Sequence, residues 1–126
     1  MNLAILHLSA TSESSAVRQS YLQATEHGVY HTHLNREAAS TLGEFPPDVA
    51  VVEVGERSEE AFAAVEALLS VPRRRGDSLP LVLAELRPED RERAARIAPH
   101  ALSLPPGATP AEVESACLQA YQVLLG

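Results

Sequence analysis

A run of aliphatic residues from Val49 to Val54 restricts the possible folds more than any other part of the sequence. Glu53 is the single polar residue within it, and valine, with its branched Cβ, packs well on a pleated sheet. Because polar and apolar residues do not alternate here, the run predicts a strand covered on both faces, as at the centre of a parallel sheet. Ligands and chemistry in such sheets lie beyond the carboxyl ends of the strands. Glu53, at that end, is therefore the first candidate functional residue.

Four further short apolar runs predict the other strands, at residues 3–8, 29–34, 79–86 and 101–104. Apolar side chains at helical spacing predict five helices, over residues 14–26 and 36–43, after Ser58, from Pro88 to Ala98 and after Thr109. Strands that alternate with helices predict an α/β fold with right-handed crossovers. We expect a flavodoxin-like three-layer α/β/α sandwich, whose five-stranded parallel sheet has the order 2-1-3-4-5 and leaves strands 2 and 5 at the edges.

Local signals indicate where the helices begin and end. Gly28 predicts the end of the first helix, because glycine is common just after a helix. Thr109 followed three residues later by Glu112 is a capping-box pattern and predicts the start of the fifth helix. The inward stripe of the third helix is predicted to contain Phe62, Val65, Leu68 and Leu69. That of the fifth is predicted to contain Val113, Ala116, Cys117, Ala120 and Leu124.

Length, charge and cysteine content exclude several classes of protein. The 126 residues, 45% of them hydrophobic, predict one domain with a real core, spanning residues 1–126. The net charge of −7 argues against non-specific binding of nucleic acid or of anionic membranes. A single cysteine, Cys117, forms neither an internal disulfide nor a cysteine metal site, and the sequence has no apolar run of membrane-spanning length. We therefore expect a cytoplasmic protein.

The sequence resembles the receiver domain of bacterial response regulators, the CheY-like domain of two-component phosphorelay systems. The run from Pro47 to Glu53 is similar to the family's Pro-Asp-aliphatic strand, which ends in the phospho-accepting aspartate. Residues 80–84 are similar to its fourth strand. Residues 101–105 are similar to its fifth strand with the cis-proline motif, which implies a cis peptide bond before Pro105. The resemblance covers the whole chain and implies the same parallel fold.

The sequence departs from the family at each position that handles the phosphoryl group. Glu53 stands at the phospho-acceptor position, and Leu8 and Ser9 stand where two acidic residues would hold magnesium. Glu85, next to Ala84, lies where the family has a hydroxyl residue, and Leu104 replaces its lysine. Aspartyl phosphorylation depends on positioning and on cations that neutralise the developing charge. The resemblance therefore implies a degenerate pseudo-receiver with no catalytic residue, metal or cofactor, which acts by phosphorylation-independent protein–protein interaction.

Several alternatives remain open from the sequence. Glu53 is either a fixed negative charge that imitates a phosphoaspartate or a solvated carboxylate at a strand end. The histidines His7, His31 and His33 are either a metal site or ordinary polar side chains at a half-exposed edge. The loop from Ser9 to Ser15 either caps the first helix or binds a phosphate or small molecule, as in flavodoxin-like proteins.

A partner surface is predicted on the fourth helix, fifth strand and fifth helix, through which receivers commonly signal. Beyond its inward stripe, the fifth helix carries a second apolar row formed by Leu118, Tyr121 and Leu125. A helix that is apolar over two stripes is usually covered by something other than its own sheet. We expect a homodimer or a contact with a downstream effector domain on this surface. We expect no enzyme activity, since the sequence offers no convergent nucleophile, base and oxyanion donor.

Overall fold

The computed structural model describes residues 2–9, 16, 20–22, 24–34, 40, 42, 46–71 and 79–125, without the side chains of 123–125. Its strands are β1 (Ala4–Ser9), β2 (Gly28–His33), β3 (Val49–Glu53), β4 (Leu81–Ala84) and β5 (Leu102–Ser103). Its helices are α1 (Ser58–Ser70), α2 (Arg91–Ile97), which follows a 3₁₀ turn at Pro88–Asp90, and α3 (Pro110–Leu125). Residues 20–22 and 24 are also helical. The helices α1, α2 and α3 correspond to the third, fourth and fifth predicted helices.

The strands form one parallel sheet in the order β2-β1-β3-β4-β5, which confirms the predicted flavodoxin-like topology. Strand β3 lies at the centre, and all five of its residues are buried, including Val49, Val51 and Val52, whose burial the aliphatic run predicts. Each buried valine contributes about 1.5–3 kcal/mol of hydrophobic stabilisation. The edges are β2 and β5, also as predicted.

The sheet separates two cores, because successive side chains along a strand point to opposite faces. On one face, Leu6 and Leu8 of β1 pack in the core that contains Phe62 of α1 and Ala94 of α2. On the other face, Ile5 packs with Leu22 and with the inward stripe of α3, namely Val113, Ala116, Cys117 and Ala120. His7 shares the face of Ile5 by this alternation. Burial raises the pKa of the Cys117 thiol to about 12, which agrees with its predicted core role.

The capping box at the start of α3 is confirmed. The Thr109 N–H donates to Glu112 Oε1 at 3.0 Å, and the Glu112 N–H donates to Thr109 Oγ1 at 3.2 Å. These two bonds satisfy backbone donors that would otherwise lack a partner in the first turn. The bond from the Thr109 N–H also lowers the pKa of the Glu112 carboxyl.

Several local predictions are wrong, and competing tertiary contacts explain them. Gly28 does not end a helix; it opens β2, where its N–H donates to the Leu3 carbonyl at 2.9 Å. Leu69 lies 37% exposed, one position past the stripe that ends at Leu68. The peptide bond before Pro105 is trans. Strands β4 and β5 are shorter than predicted, and β4 ends directly before Glu85, whose backbone is left-handed with φ of 56°. Apart from residues 40 and 42, the predicted helix over 36–43 lies outside the described residues.

Candidate functional site

The carboxylate of Glu53, at the end of β3, is buried inside the protein. Only 5% of Glu53 is exposed, and its Oε2 lies 2.5 Å from Nε2 of His7, which is fully buried on the neighbouring strand β1. The two residues are 46 positions apart in sequence and meet because β1 and β3 are adjacent parallel strands. The expectation of a solvated carboxylate is therefore wrong: a buried charge requires a partner, and the strand next to it supplies one.

The second nitrogen of His7 extends this contact to the edge of the sheet. Its Nδ1 lies 3.1 Å from Nδ1 of His31, the residue that pairs with His7 on β2. His31 is half-buried, whereas His7 is completely enclosed. The three side chains form a continuous hydrogen-bonded chain across β3, β1 and β2, which we call the Glu53–His7–His31 chain.

The positions of the protons in the Glu53–His7–His31 chain follow from which atoms of each group can donate a hydrogen bond. An ionised carboxylate only accepts hydrogen bonds, so His7 donates from Nε2 to Glu53. A neutral His7 then accepts at Nδ1, and His31 donates its Nδ1–H and keeps a lone pair on Nε2. A charged His7 donates from Nδ1 instead, and His31 then carries its proton on Nε2. In both arrangements one proton lies between the two Nδ1 atoms.

The environment of His31 disfavours its charged form. Partial burial lowers the pKa of His31 most, and the charges of His7 and His33 lower it further, while Glu53 acts in the opposite direction. The rings of His31 and His33 are 6.4 Å apart between centroids and lie nearly edge to face. His33 is exposed at the end of β2. A positive charge on His33 acts on His31 through this short distance.

The other residues that the sequence analysis assigns to altered receiver positions have packing and backbone roles. Leu8 and Ser9, at the end of β1, are both buried, and neither offers a carboxylate. Glu85 adopts a left-handed backbone, with φ of 56°, and its Oε1 accepts a hydrogen bond from the Gly107 N–H at 3.2 Å. Leu104 donates its N–H to the Leu83 carbonyl at 2.9 Å and packs against the core.

The two small-ligand alternatives gain no support from the described residues. They contain no group of three histidine, cysteine or acidic side chains arranged to hold a metal ion. His7 already uses both ring nitrogens in hydrogen bonds, so it has no lone pair for a metal in this geometry. Of the loop from Ser9 to Ser15, only Ser9 lies within the described residues, and it is 1% exposed.

A second histidine–glutamate pair lies at the amino end of β1, and sequence reasoning missed it. His27 Nδ1 accepts the Leu3 N–H at 2.9 Å, and His27 Nε2 lies 3.0 Å from Glu114 Oε2 on α3. The Tyr21 hydroxyl donates to Glu114 Oε1 at 3.3 Å, and the negative charge of Glu114 raises the pKa of the phenol. Because Glu114 is 87 residues from His27, no local pattern announces the pair.

The predicted partner surface contains one feature that the sequence did not indicate. A groove of about 340 Å³ lies between α2 and β5, and its lining includes Leu86, Arg91, Ala94, Ala98, Leu104 and Pro105. Leu118 and Tyr121 of α3 are half-buried and pack partly against their own core. The side chain of Leu125 lies outside the described residues. The predicted apolar row is therefore only partly available to a partner.

Comparisons with known proteins agree with this topology. No protein-family model and no curated protein matches the sequence. The signal receiver domain of a modulated diguanylate cyclase from Desulfovibrio desulfuricans is 16% identical with a TM-score of 0.77, over 99% of this chain and 98% of its own. NtrX from Brucella abortus is 12% identical with a TM-score of 0.75, over 99% of this chain and 28% of its own.

The N-terminal domain of a response regulator receiver protein from Methanoculleus marisnigri is 16% identical, with a TM-score of 0.61, over 98% of this chain and 97% of its own. At these identities the likeness concerns the fold. Among the described residues, no helix has both the length and the apolar character needed to cross a membrane. The chain therefore has the fold of response-regulator receiver domains.

Proposed function

We propose that the chain is a pseudo-receiver domain of a bacterial signalling protein, and that it acts by protein–protein interaction without being phosphorylated. The observation that carries this proposal is the position of Glu53, which is 5% exposed and 2.5 Å from His7 Nε2. A phospho-acceptor must approach the donor phosphorus in line from an accessible site. A carboxylate held in the core by a histidine does not meet that requirement.

Among the described residues, the positions that match the cation sites of receivers hold neither a lysine nor a carboxylate. Magnesium prefers several oxygen ligands in octahedral geometry, and the positions at the end of β1 hold Leu8 and Ser9. Leu104 stands where the family has a lysine. Histidine at position 7 carries at most one positive charge, and that charge is already matched by Glu53. The site therefore supports a signalling role rather than an enzymatic one.

The same geometry bears on whether Glu53 imitates a phosphoaspartate. A phosphate carries close to two negative charges and presents them to its neighbours. The single charge of Glu53 lies against His7 and is shielded from water. We therefore favour an interaction that does not depend on a phosphate-like charge at this site.

For the partner, we propose a homodimer or a downstream effector domain that binds the surface of α2, β5 and α3. The groove between α2 and β5 supplies small apolar side chains, and Arg91 lies at its wall. Tyr121 suits the border of such a surface, since a half-buried tyrosine buries its ring and keeps its hydroxyl in water. Apolar centres with polar rims are typical of protein interfaces.

Phosphorylation is tested with acetyl phosphate and magnesium, read by intact mass. We expect no added phosphate on the wild type, because Glu53 is buried and Leu104 stands where the family's lysine would offset the transferred charge. Magnesium titration should leave the amide shifts around Glu53 unchanged. Stoichiometric phosphorylation that disappears in Glu53→Gln would contradict the proposal.

The dimer is tested by sedimentation of the wild type, Tyr121→Glu and Ala95→Arg. Ala95 is an exposed residue of α2 that borders the groove, so an arginine there blocks a partner without disturbing the core. Ala24→Arg is the matched control, since Ala24 is exposed on a helical segment away from this surface. We expect both surface variants to dissociate the dimer and the control to retain it. A wild type that is monomeric at high concentration would leave only the effector contact.

A further inference from the structure

The contact between His7 and His31 places a limit on the number of protons that the two rings can hold. A neutral imidazole has one donor nitrogen and one acceptor nitrogen, whereas an imidazolium has two donors. The two Nδ1 atoms face each other at 3.1 Å. This distance fits one shared proton, and it does not fit two N–H groups that point at each other.

The other contacts of the Glu53–His7–His31 chain determine which of the two rings can move. His7 is fully buried and is held by Glu53 at its Nε2. His31 is half-buried on β2, an edge strand whose partner in the sheet is β1. When both rings are charged, the contact must open on the His31 side, because β1 is fixed between two strands and β2 is not.

We propose that the Glu53–His7–His31 chain is a proton-sensitive switch, closed while at most one of the two imidazoles is charged and opened at β2 when both are charged. The switch makes the pairing of the edge strand β2 with β1 depend on the pH of the solvent. It goes beyond the proposed partner binding and does not depend on it.

The charges around His31 agree with this behaviour. In the described residues, His31 experiences His7 from β1, His33 from its own strand and Glu53 from β3. Partial burial and the two histidines lower the pKa of His31. The folded, closed state therefore binds the second proton more weakly than the open state does. Protonation of both rings consequently favours the open state. Histidine is the side chain whose ordinary pKa places its change of charge between about pH 5 and pH 8.

The experiment is a pH titration of the whole chain by NMR. Long-range ¹H–¹⁵N spectra report the tautomer and charge of each imidazole, and ring–ring NOEs report the His7–His31 contact. Protection factors of the β2 amides, corrected for the intrinsic pH dependence of exchange, report the strand pairing. Between about pH 7.5 and about pH 5, we expect the NOE to vanish and β2 protection to fall about tenfold or more as the His7–His31 contact opens.

Two variants on the same strand separate the switch from general acid unfolding. His31→Gln keeps a neutral polar side chain that cannot titrate, so β2 protection should become independent of pH over this range. His33→Gln removes a neighbouring titratable group that lacks the contact with His7, so the response should remain with a shifted midpoint. Protection of β3 amides, which should stay constant, confirms that the core remains folded in each sample.

Three results would overturn the proposal. The first is a His7–His31 NOE that persists while both rings are charged. The second is that the two rings never become charged together in the folded protein over this range. The third is an equal loss of β2 protection in His31→Gln and in the wild type.

Discussion

Two histidine–glutamate pairs lie on the same face of the sheet, at opposite ends of β1, and they differ in what fixes their protons. At the amino end, the Leu3 N–H donates to His27 Nδ1, so His27 has its proton on Nε2, facing Glu114. At the carboxyl end, both nitrogens of His7 face groups that can themselves gain or lose a proton. A backbone donor fixes a tautomer, whereas a titratable partner leaves it variable.

The two pairs also differ in their contact with water. The side chain of Glu114 is 25% exposed, whereas that of Glu53 is 4% exposed. Water and salt screen an exposed pair and solvate the partner that remains when one side is removed. A buried pair has no such replacement, so each of its members depends on the other. The amino-end pair therefore attaches α3 to the sheet, while the carboxyl-end pair contains Glu53, which the sequence analysis predicts at the phospho-acceptor position.

The largest expected effect is the loss of stability in Glu53→Ala. This change leaves His7 buried without its carboxylate, and we expect it to lower the free energy of unfolding by about 3–5 kcal/mol. The matched change Glu114→Ala should cost about 1 kcal/mol or less, since solvent reaches that site. Urea unfolding of the two variants measures the difference. Equal losses would show that burial does not distinguish the pairs.

A double substitution sharpens this prediction. His7→Leu combined with Glu53→Leu removes both polar groups together. The double variant therefore has no His7 buried without its carboxylate, unlike Glu53→Ala. Replacing a buried pair by apolar residues is often neutral or stabilising. We therefore expect the double variant to recover about 2 kcal/mol or more relative to Glu53→Ala.

A smaller effect is expected from pH. The pKa of His31 is lower in the folded protein than its ordinary value of 6.5. The unfolded chain therefore binds more protons between the two values, so stability falls as the pH is lowered from 6.5 through the folded pKa. Urea unfolding at several pH values should show this slope in the wild type and a smaller slope in His31→Gln. A slope that is identical in the two proteins would contradict the role assigned to His31.

The smallest expected effect is on the phenol of Tyr21. Its pKa is raised mainly by the negative charge of Glu114, with smaller contributions from burial and from the hydrogen bond. Removing that charge in Glu114→Gln should therefore let Tyr21 ionise at lower pH, which the ¹³Cζ resonance of Tyr21 reports. Glu53→Gln is the control and should leave the titration of Tyr21 unchanged. A response to both variants would mean that the two pairs are electrically coupled.

The sequence by itself determined the class of fold, because its signals for that class are local. The valine run of β3, the helical spacing in α1 and α3, and the Thr109–Glu112 capping box each involve residues within a few positions of one another. Such patterns depend on strand and helix periodicity, which any fold must respect. The alternation of strands and helices predicted a parallel sheet, and the order 2-1-3-4-5 was chosen from the common doubly wound orders. The assignment of Glu53, Leu8, Ser9 and Leu104 to receiver positions comes from the sequence resemblance and stays a prediction.

The tertiary structure alone decided which of these residues meet. Periodicity shows that His7 points to one face of β1, but not that Glu53 and His31 lie beside it on two other strands. That contact depends on the register of three strands, and a slip of one residue would turn His7 to the opposite core. Gly28 is a similar case, since pairing with Ala4 overrode its local tendency to end a helix. Burial of the Glu53 carboxylate is therefore a property of strand register and neighbouring strands, which no single segment encodes.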